Sequence, residues 1–188
     1  MRYFENPYVH TSQFVPEFDH LIALYEELQP MTVLEIGSEF GGTLWQWLHR
    51  APDGARVMNI DPLISAQECK GIDIIRIWQS WARPEIVFRT IVGFSQNPEV
   101  AKAALEWLGE SIDFLFVDGD HTYRGAKMDW DLYAPHAKVI VFHDLIKHQP
   151  HFGTPKLFEE IKSEGYKTQE FYSDTRQSGG GIGVVYND

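Results

Sequence analysis

The stretch TVLEIGSEFGGTLWQWLHR, residues 32–50, decides how this chain is read. A short apolar run ends at Gly37, Gly41 and Gly42 follow closely, and a helix-forming segment comes next. Buried strand, tight turn and helix, in that order, open an α/β sheet whose ligands bind beyond the carboxyl ends of the strands. The glycines let the backbone turn sharply and approach a ligand. The helix that follows presents free N–H groups to it.

The alternation continues in both directions. VPEFDHLIALYEELQP (15–30) places Phe18, Leu21, Ile22, Tyr25 and Leu28 on one helical face, and Pro30 stops the helix. ARVMNID (55–61) reads as a second strand, ending in Asp61, and IVFRTIVG (86–93) as a third. Asn97 as cap and Pro98 at the first helical position start a helix in NPEVAKAALEWLGE. IDFLFVDG (112–119) is strand four, YRGAKMDWDLYA (123–134) a helix and KVIVFHD (138–144) strand five. TPKLFEEIKSEG (154–165) is a further helix, then KTQEFY and GIGVVY are two strands with no helix between them. Residues 62–85 fit only short helices around Trp78 and Trp81.

Near-continuous apolar runs are expected of strands buried on both faces. The resulting fold class is α/β: a Rossmann-like, doubly wound, mostly parallel seven-stranded sheet with a C-terminal antiparallel strand. Residues 1–188 are expected to form one domain, with 1–30 as an N-terminal helical extension.

Composition narrows the partners. The chain has 188 residues, 44% hydrophobic and 14% aromatic, which is a globular balance. A net charge of -11 disfavours nucleic acid as a main partner. Cys69 is the single cysteine, so no intrachain disulfide forms and a reducing compartment fits. The opening residues MRYFENPYVHTSQF carry no apolar signal core, and no apolar run approaches the roughly 20 residues of a membrane span. A soluble, cytoplasmic protein without a membrane partner is expected.

Asp61 stands 24 residues after Gly37. A carboxylate at the second strand's tip can accept both hydroxyls of a ribose, so the unit points to an adenosine-type ligand. A dinucleotide fingerprint would read G-x-G-x-x-G. This chain has G-x-x-x-G-G with Glu39 inside the turn, and a carboxylate beside a pyrophosphate is repulsive. An NAD(P)-dependent oxidoreductase is therefore the weaker reading.

The pattern E-x-G-x-x-x-G resembles the first motif of class I S-adenosylmethionine (SAM)-dependent methyltransferases. That resemblance implies a cofactor turn of Glu35, Gly37, Ser38 and Gly41, with Asp61 on the ribose. VDGDHTYRGAKMDWDLYAP, VIVFHD and FGTPKLFEEIK resemble the small-molecule methyltransferases related to cephalosporin hydroxylase and to metal-dependent O-methyltransferases. Where those relatives often have an acid in G-D-S, this chain has VGFSQ. Phe94 is expected to stack on adenine and Ser95 to hydrogen-bond it.

Strands four and five should be neighbours, about 4.8 Å apart. Their tips then bring Asp118 close to His143 and Asp144, beside the cofactor turn. Clustered carboxylates repel unless a positive charge joins them, and hard oxygens favour Mg²⁺. The resemblance implies a metal set of Asp118, His143 and Asp144. His143 departs from the relatives' acid and would move preference towards Mn²⁺, Fe²⁺ or Zn²⁺. It also implies His121, three residues past Asp118, as the base that takes a proton from a substrate hydroxyl. The plainer alternative makes Asp118 and Asp144 helix caps and has His121 bonded to a backbone carbonyl.

The remaining features are weaker. Lys147, His148 and His151 fit a substrate lid or a solvated loop. Trp78 and Trp81 fit core or pocket wall. SGGGIG lies between strands and is a turn rather than a phosphate loop. The expected activity is methyl transfer from SAM to a hydroxyl of a small-molecule acceptor, divalent-ion assisted. The rival of another kind is a SAM-binding protein without turnover. Few residues lie outside the core fold, so any cap over the acceptor is small or comes from a second copy in a homo-oligomer.

Overall fold

The computed structural model describes residues 13, 15–64, 73–146, 150–173 and 180–187. In chain order these form α1 (Val15–Leu28), β1 (Thr32–Ile36), α2 (Gly42–Arg50), β2 (Arg56–Asp61), α3 (Ile74–Trp81) and β3 (Val87–Val92). Then follow α4 (Pro98–Leu108), β4 (Ile112–Val117), α5 (Tyr123–Tyr133), a 3-10 turn at Ala134–His136 and β5 (Ala137–Phe142). The chain closes with α6 (Thr154–Ser163), β6 (Lys167–Phe171) and β7 (Ile182–Tyr186).

The seven strands form one sheet in the order β3-β2-β1-β4-β5-β7-β6. β1 to β5 pair in parallel, and β7 runs antiparallel to both β5 and β6. The mostly parallel α/β architecture expected from the sequence is the one observed, and β7 is the antiparallel strand.

Strand periodicity explains the layering. Successive side chains point to opposite faces, so neighbours on one strand join different cores. Leu34, Leu115 and Val117 pack with Leu105 of α4, Trp130 of α5 and Phe158 of α6. Val33, Phe114 and Phe116 pack on the other face with Phe18 and Tyr25 of α1, Trp47 of α2 and Trp78 of α3. Trp47 is the hub there, its ring centroid 4.8 Å from Tyr25 and 5.2 Å from Phe114.

Local chemistry sets the helix ends. Asn97, Thr122 and Asp73 accept hydrogen bonds from Glu99 N, Gly125 N and Arg76 N, capping α4, α5 and α3. Gly109 in the left-handed region closes α4.

Two expectations are corrected. β3 is not buried on both faces: it is the sheet's edge, with Val87 and Val92 more than half exposed. An edge strand has no neighbour beyond it, so its apolar run covers less than it would inside the sheet. Leu28 does not share the buried face of α1; it sits exposed in the last turn. Trp78 and Trp81 are core residues. Lys147, His148 and Cys69 lie outside the described residues, and so does the start of SGGGIG. Among the described residues, no helix is long and apolar enough to cross a membrane.

Candidate functional site

Parallel strands end on the same edge, and backbone hydrogen bonds lock their tips together. Gly37 N donates to Ile60 O (3.0 Å), Asp118 N to Ile36 O (2.9 Å), His143 N to Val117 O (3.2 Å) and Gly93 N to Asp61 O (3.1 Å). The loops leaving β1, β2, β3, β4 and β5 therefore surround one space. A cavity of about 760 Å³ opens there, and its lining includes Gly37, Ser38, Asp61, Phe94, Ser95, Asp118, His121, His143 and Asp144, with Gln13, Gln96 and Gly180 also in its wall.

The glycine turn is built for close approach. Gly37 has φ +82°, and a β-carbon there would lie 2.4 Å from the Asp118 carbonyl oxygen. Gly41 has φ +86°, but its α-carbon faces the Trp78 indole, 2.3 Å from where a β-carbon would stand. Gly41 thus lets α2 pack on α3 rather than bordering the cavity.

Glu35 also stands behind the turn. It is fully buried, accepts a hydrogen bond from the Thr43 hydroxyl, and burial raises its pKa well above the ordinary value. Asn59 Nδ2 donates to the Ser38 hydroxyl (2.9 Å), and Thr90 donates to Asn59 (2.7 Å), so a buried polar network supports Ser38.

Asp61 accepts from Ser38 N (2.7 Å), Glu39 N (3.0 Å) and Leu63 N (2.6 Å). A carboxylate has about four lone-pair sites. Asp61 therefore holds the turn in shape, with three of those sites taken by backbone N–H groups. On the third strand's loop, Phe94 is 60% exposed along the cavity. The Ser95 hydroxyl is turned away, hydrogen-bonded to Asp129.

At the tips of β4 and β5 three groups converge. His143 Nδ1 lies 3.2 Å from Asp118 Oδ1 and 3.4 Å from Asp144 Oδ1. One donor atom from each of Asp118, His143 and Asp144 lies within 4.8 Å of the others. Burial alone would push His143 down, yet the two carboxylates outweigh it and raise its pKa to about 10. The pair therefore draws a positive charge into this spot, either a proton on His143 or a metal cation in its place. His143 Nε2 is buried with no hydrogen-bond partner among the described residues, so the ring engages through Nδ1. Two carboxylates and one imidazole nitrogen at this spacing fit a divalent cation.

His121 Nδ1 lies 3.4 Å from Asp144 Oδ2, and the ring stacks on Phe152 at 4.7 Å. Gly153 N donates to the His121 carbonyl oxygen (2.8 Å), which ties the segment before α6 to the site. His151 packs edge-on against Phe152 and does not line the cavity.

Three participants were missed from sequence. Gln13 Nε2 donates to Asp118 Oδ2 (3.1 Å) across 105 residues of chain. Gln96 lines the wall, and Asp129 is buried behind it. A polar residue ahead of a helix and an acid within one give no local signal of these contacts.

A family model described as a methyltransferase domain matches residues 34–145. No curated protein matches the chain. Among solved structures, an O-methyltransferase from Bacillus cereus in complex with SAH is similar, with TM-score 0.62 and 18% identity over 96% of this chain and 84% of that one. The O-methyltransferase TomG from Streptomyces achromogenes, involved in tomaymycin synthesis and in complex with SAM, is similar at TM-score 0.69 and 17% identity, over 98% and 84%. At such identities the likeness establishes the fold.

Proposed function

Because the chain belongs to the methyltransferase-domain family, we propose that it moves a methyl group from SAM to a hydroxyl of a small molecule, in the cavity at the carboxyl edge of the sheet. One observation carries the reading: Gly37, Asp61, Asp118 and Asp144, from four different strand ends, line a single cavity of about 760 Å³. That volume falls within the range of small-molecule sites, roughly 300–1,000 Å³. The reading takes residues 1–188 as one catalytic domain, with 1–30 as its helical extension.

In this reading Gly37 and Ser38 meet the methionine part of the cofactor, with Glu35 and Gly41 supporting the turn from behind. Asp61 takes the ribose, and Phe94 and Ser95 flank the base. The neighbours that are themselves O-methyltransferases support a hydroxyl acceptor.

The transfer is a direct displacement. The acceptor oxygen forms a bond to the methyl carbon as the carbon–sulfur bond breaks, and sulfur keeps the electron pair as a neutral thioether. The hydroxyl proton goes to His121. Its Nδ1 faces Asp144, which leaves Nε2 as the accepting nitrogen. The protein's contribution is mostly alignment of oxygen, methyl and sulfur. Asp118, His143 and Asp144 would hold a divalent cation, which lowers the pKa of a coordinated hydroxyl and fixes its position.

Calorimetry with SAM is the test. Micromolar binding by the wild type, weakened at least tenfold in Asp61→Ala, is expected. No binding, or an Asp61→Ala variant indistinguishable from wild type, would remove the reading. Tight binding with no transfer to any member of a panel of phenols, catechols and sugars would instead support a protein that holds SAM without turnover.

A further inference from the structure

Asp129 sits on α5, wholly buried behind the loop that follows β3. It accepts from Gln96 Nε2 through both carboxylate oxygens, at 3.1 and 3.0 Å, and from the Ser95 hydroxyl. The Tyr133 hydroxyl, one turn further along α5, donates to the Ser95 carbonyl oxygen (2.9 Å). One helix thus grips both Ser95 and Gln96 from behind the cavity wall.

The consequence lies in which end of Gln96 is left over. An ionised carboxylate only accepts, so whatever faces it must donate. The Gln96 amide nitrogen is committed to Asp129. The opposite flip would set the amide oxygen against two carboxylate oxygens, an unmade bond beside a buried charge. The amide oxygen is the end not engaged by Asp129, and Gln96 lines the cavity. β3 pairs with β2 in register Asp61↔Val92, so this loop lies one strand beyond the proposed ribose acid, where a base attached to that ribose would reach.

We propose that Asp129 is a positioning residue that locks the Gln96 amide with its oxygen towards the ligand, so that the site selects a base carrying an exocyclic amine over one carrying an oxo group. The inference rests on the SAM reading. A 6-aminopurine donates a hydrogen to that oxygen. A 6-oxopurine presents a second acceptor and is repelled. The acid needed for this choice does not touch the base; it acts through an uncharged intermediary.

The test compares S-adenosylhomocysteine with S-inosylhomocysteine by calorimetry on the full chain at pH 8, above the pKa of about 7 to which burial raises Asp129. Wild type is expected to prefer the adenosyl compound at least tenfold, in line with the cost of a buried polar group left unpaired. In Asp129→Asn the neighbouring amide can pair with either flip, so the preference should fall to within about threefold in a variant that still unfolds cooperatively. Gln96→Ala should lose the preference equally, and adding Asp129→Asn to it should change nothing more. Should Asp129→Asn unfold, Gln96→Ala still decides. An undiminished preference in either folded variant overturns the inference, as does a wild type that binds both compounds equally. A wild type that binds neither removes the cofactor reading and this inference with it.

Discussion

The Gly37 α-carbon stands against the backbone of Asp118: a β-carbon there would lie 2.4 Å from the Asp118 carbonyl oxygen and 2.7 Å from the Gly119 α-carbon. Neither atom is the end of a flexible side chain, so nothing can swing aside. Gly37 also has φ +82°, which costs an L-residue roughly 1–2 kcal/mol before any clash. Gly37→Ala should lower the thermal midpoint by several degrees and abolish SAM binding, because the β1 and β4 loops must part. Thermal unfolding and calorimetry check it; a variant with wild-type midpoint and affinity would show that the turn is not held by this contact.

This contact shows how far the sequence could be read. The glycine turn and the acids at the strand tips were legible, because their positions follow from parallel strands ending on one edge. That argument needs only strand identity and register, and β4 and β5 do pair with Val117 opposite Phe142. What each residue does with its side chain was not legible. Asp61 spends three hydrogen bonds on its own turn. Gly41 faces Trp78, which lies in the stretch whose helix carried no clear signal. Asp129 sits in KMDWDLY, where nothing local separates it from the solvent-facing Asp131 two residues on. Only the docking of α5 beneath the β3 loop buries it. β3 misled in the opposite sense, since apolar content alone does not distinguish an edge strand from an inner one.

If His121 takes the acceptor proton, His121→Ala should lower kcat by roughly 10²–10⁴-fold with the cofactor affinity within a factor of about two of wild type. Asp144→Asn should lower it too, since it removes both the partner of His121 Nδ1 and a charged oxygen from the set with Asp118 and His143. Single-turnover transfer to whichever phenol or catechol the enzyme accepts measures both. A His121→Ala enzyme with a wild-type rate would leave His121 as a residue that ties the chain at Gly153 to the site.

Metal dependence has its own signature. Dialysis against a chelator should reduce transfer at least tenfold, and Mn²⁺ should restore it better than Mg²⁺, because an imidazole sits among the donors. His143→Asp makes the set all-oxygen and should reverse that order. Full activity after chelation would instead assign the positive charge between Asp118 and Asp144 to the His143 ring itself, whose contacts to both are already in place.

Asp129 predicts a pH dependence of stability whose sign can be worked out. Burial raises its pKa from 3.8 to about 7, with Asp120 adding to the rise and the Ser95 and Gln96 hydrogen bonds opposing it. Between these two values the folded protein keeps a proton that the unfolded chain has released, so this group's contribution to stability falls as pH rises through that window. Above pH 7 the loss is nearly complete, on the order of 4 kcal/mol. Asp129→Asn carries no such proton and should gain relative to wild type between pH 4 and 8. Denaturant unfolding of both proteins at pH 5 and pH 8 measures the difference of differences, and parallel pH dependence in the two would show that Asp129 titrates as an ordinary carboxylate. The expected gain runs against the loss of base selectivity in the same variant, which is what a buried charge retained for ligand choice rather than for folding should show.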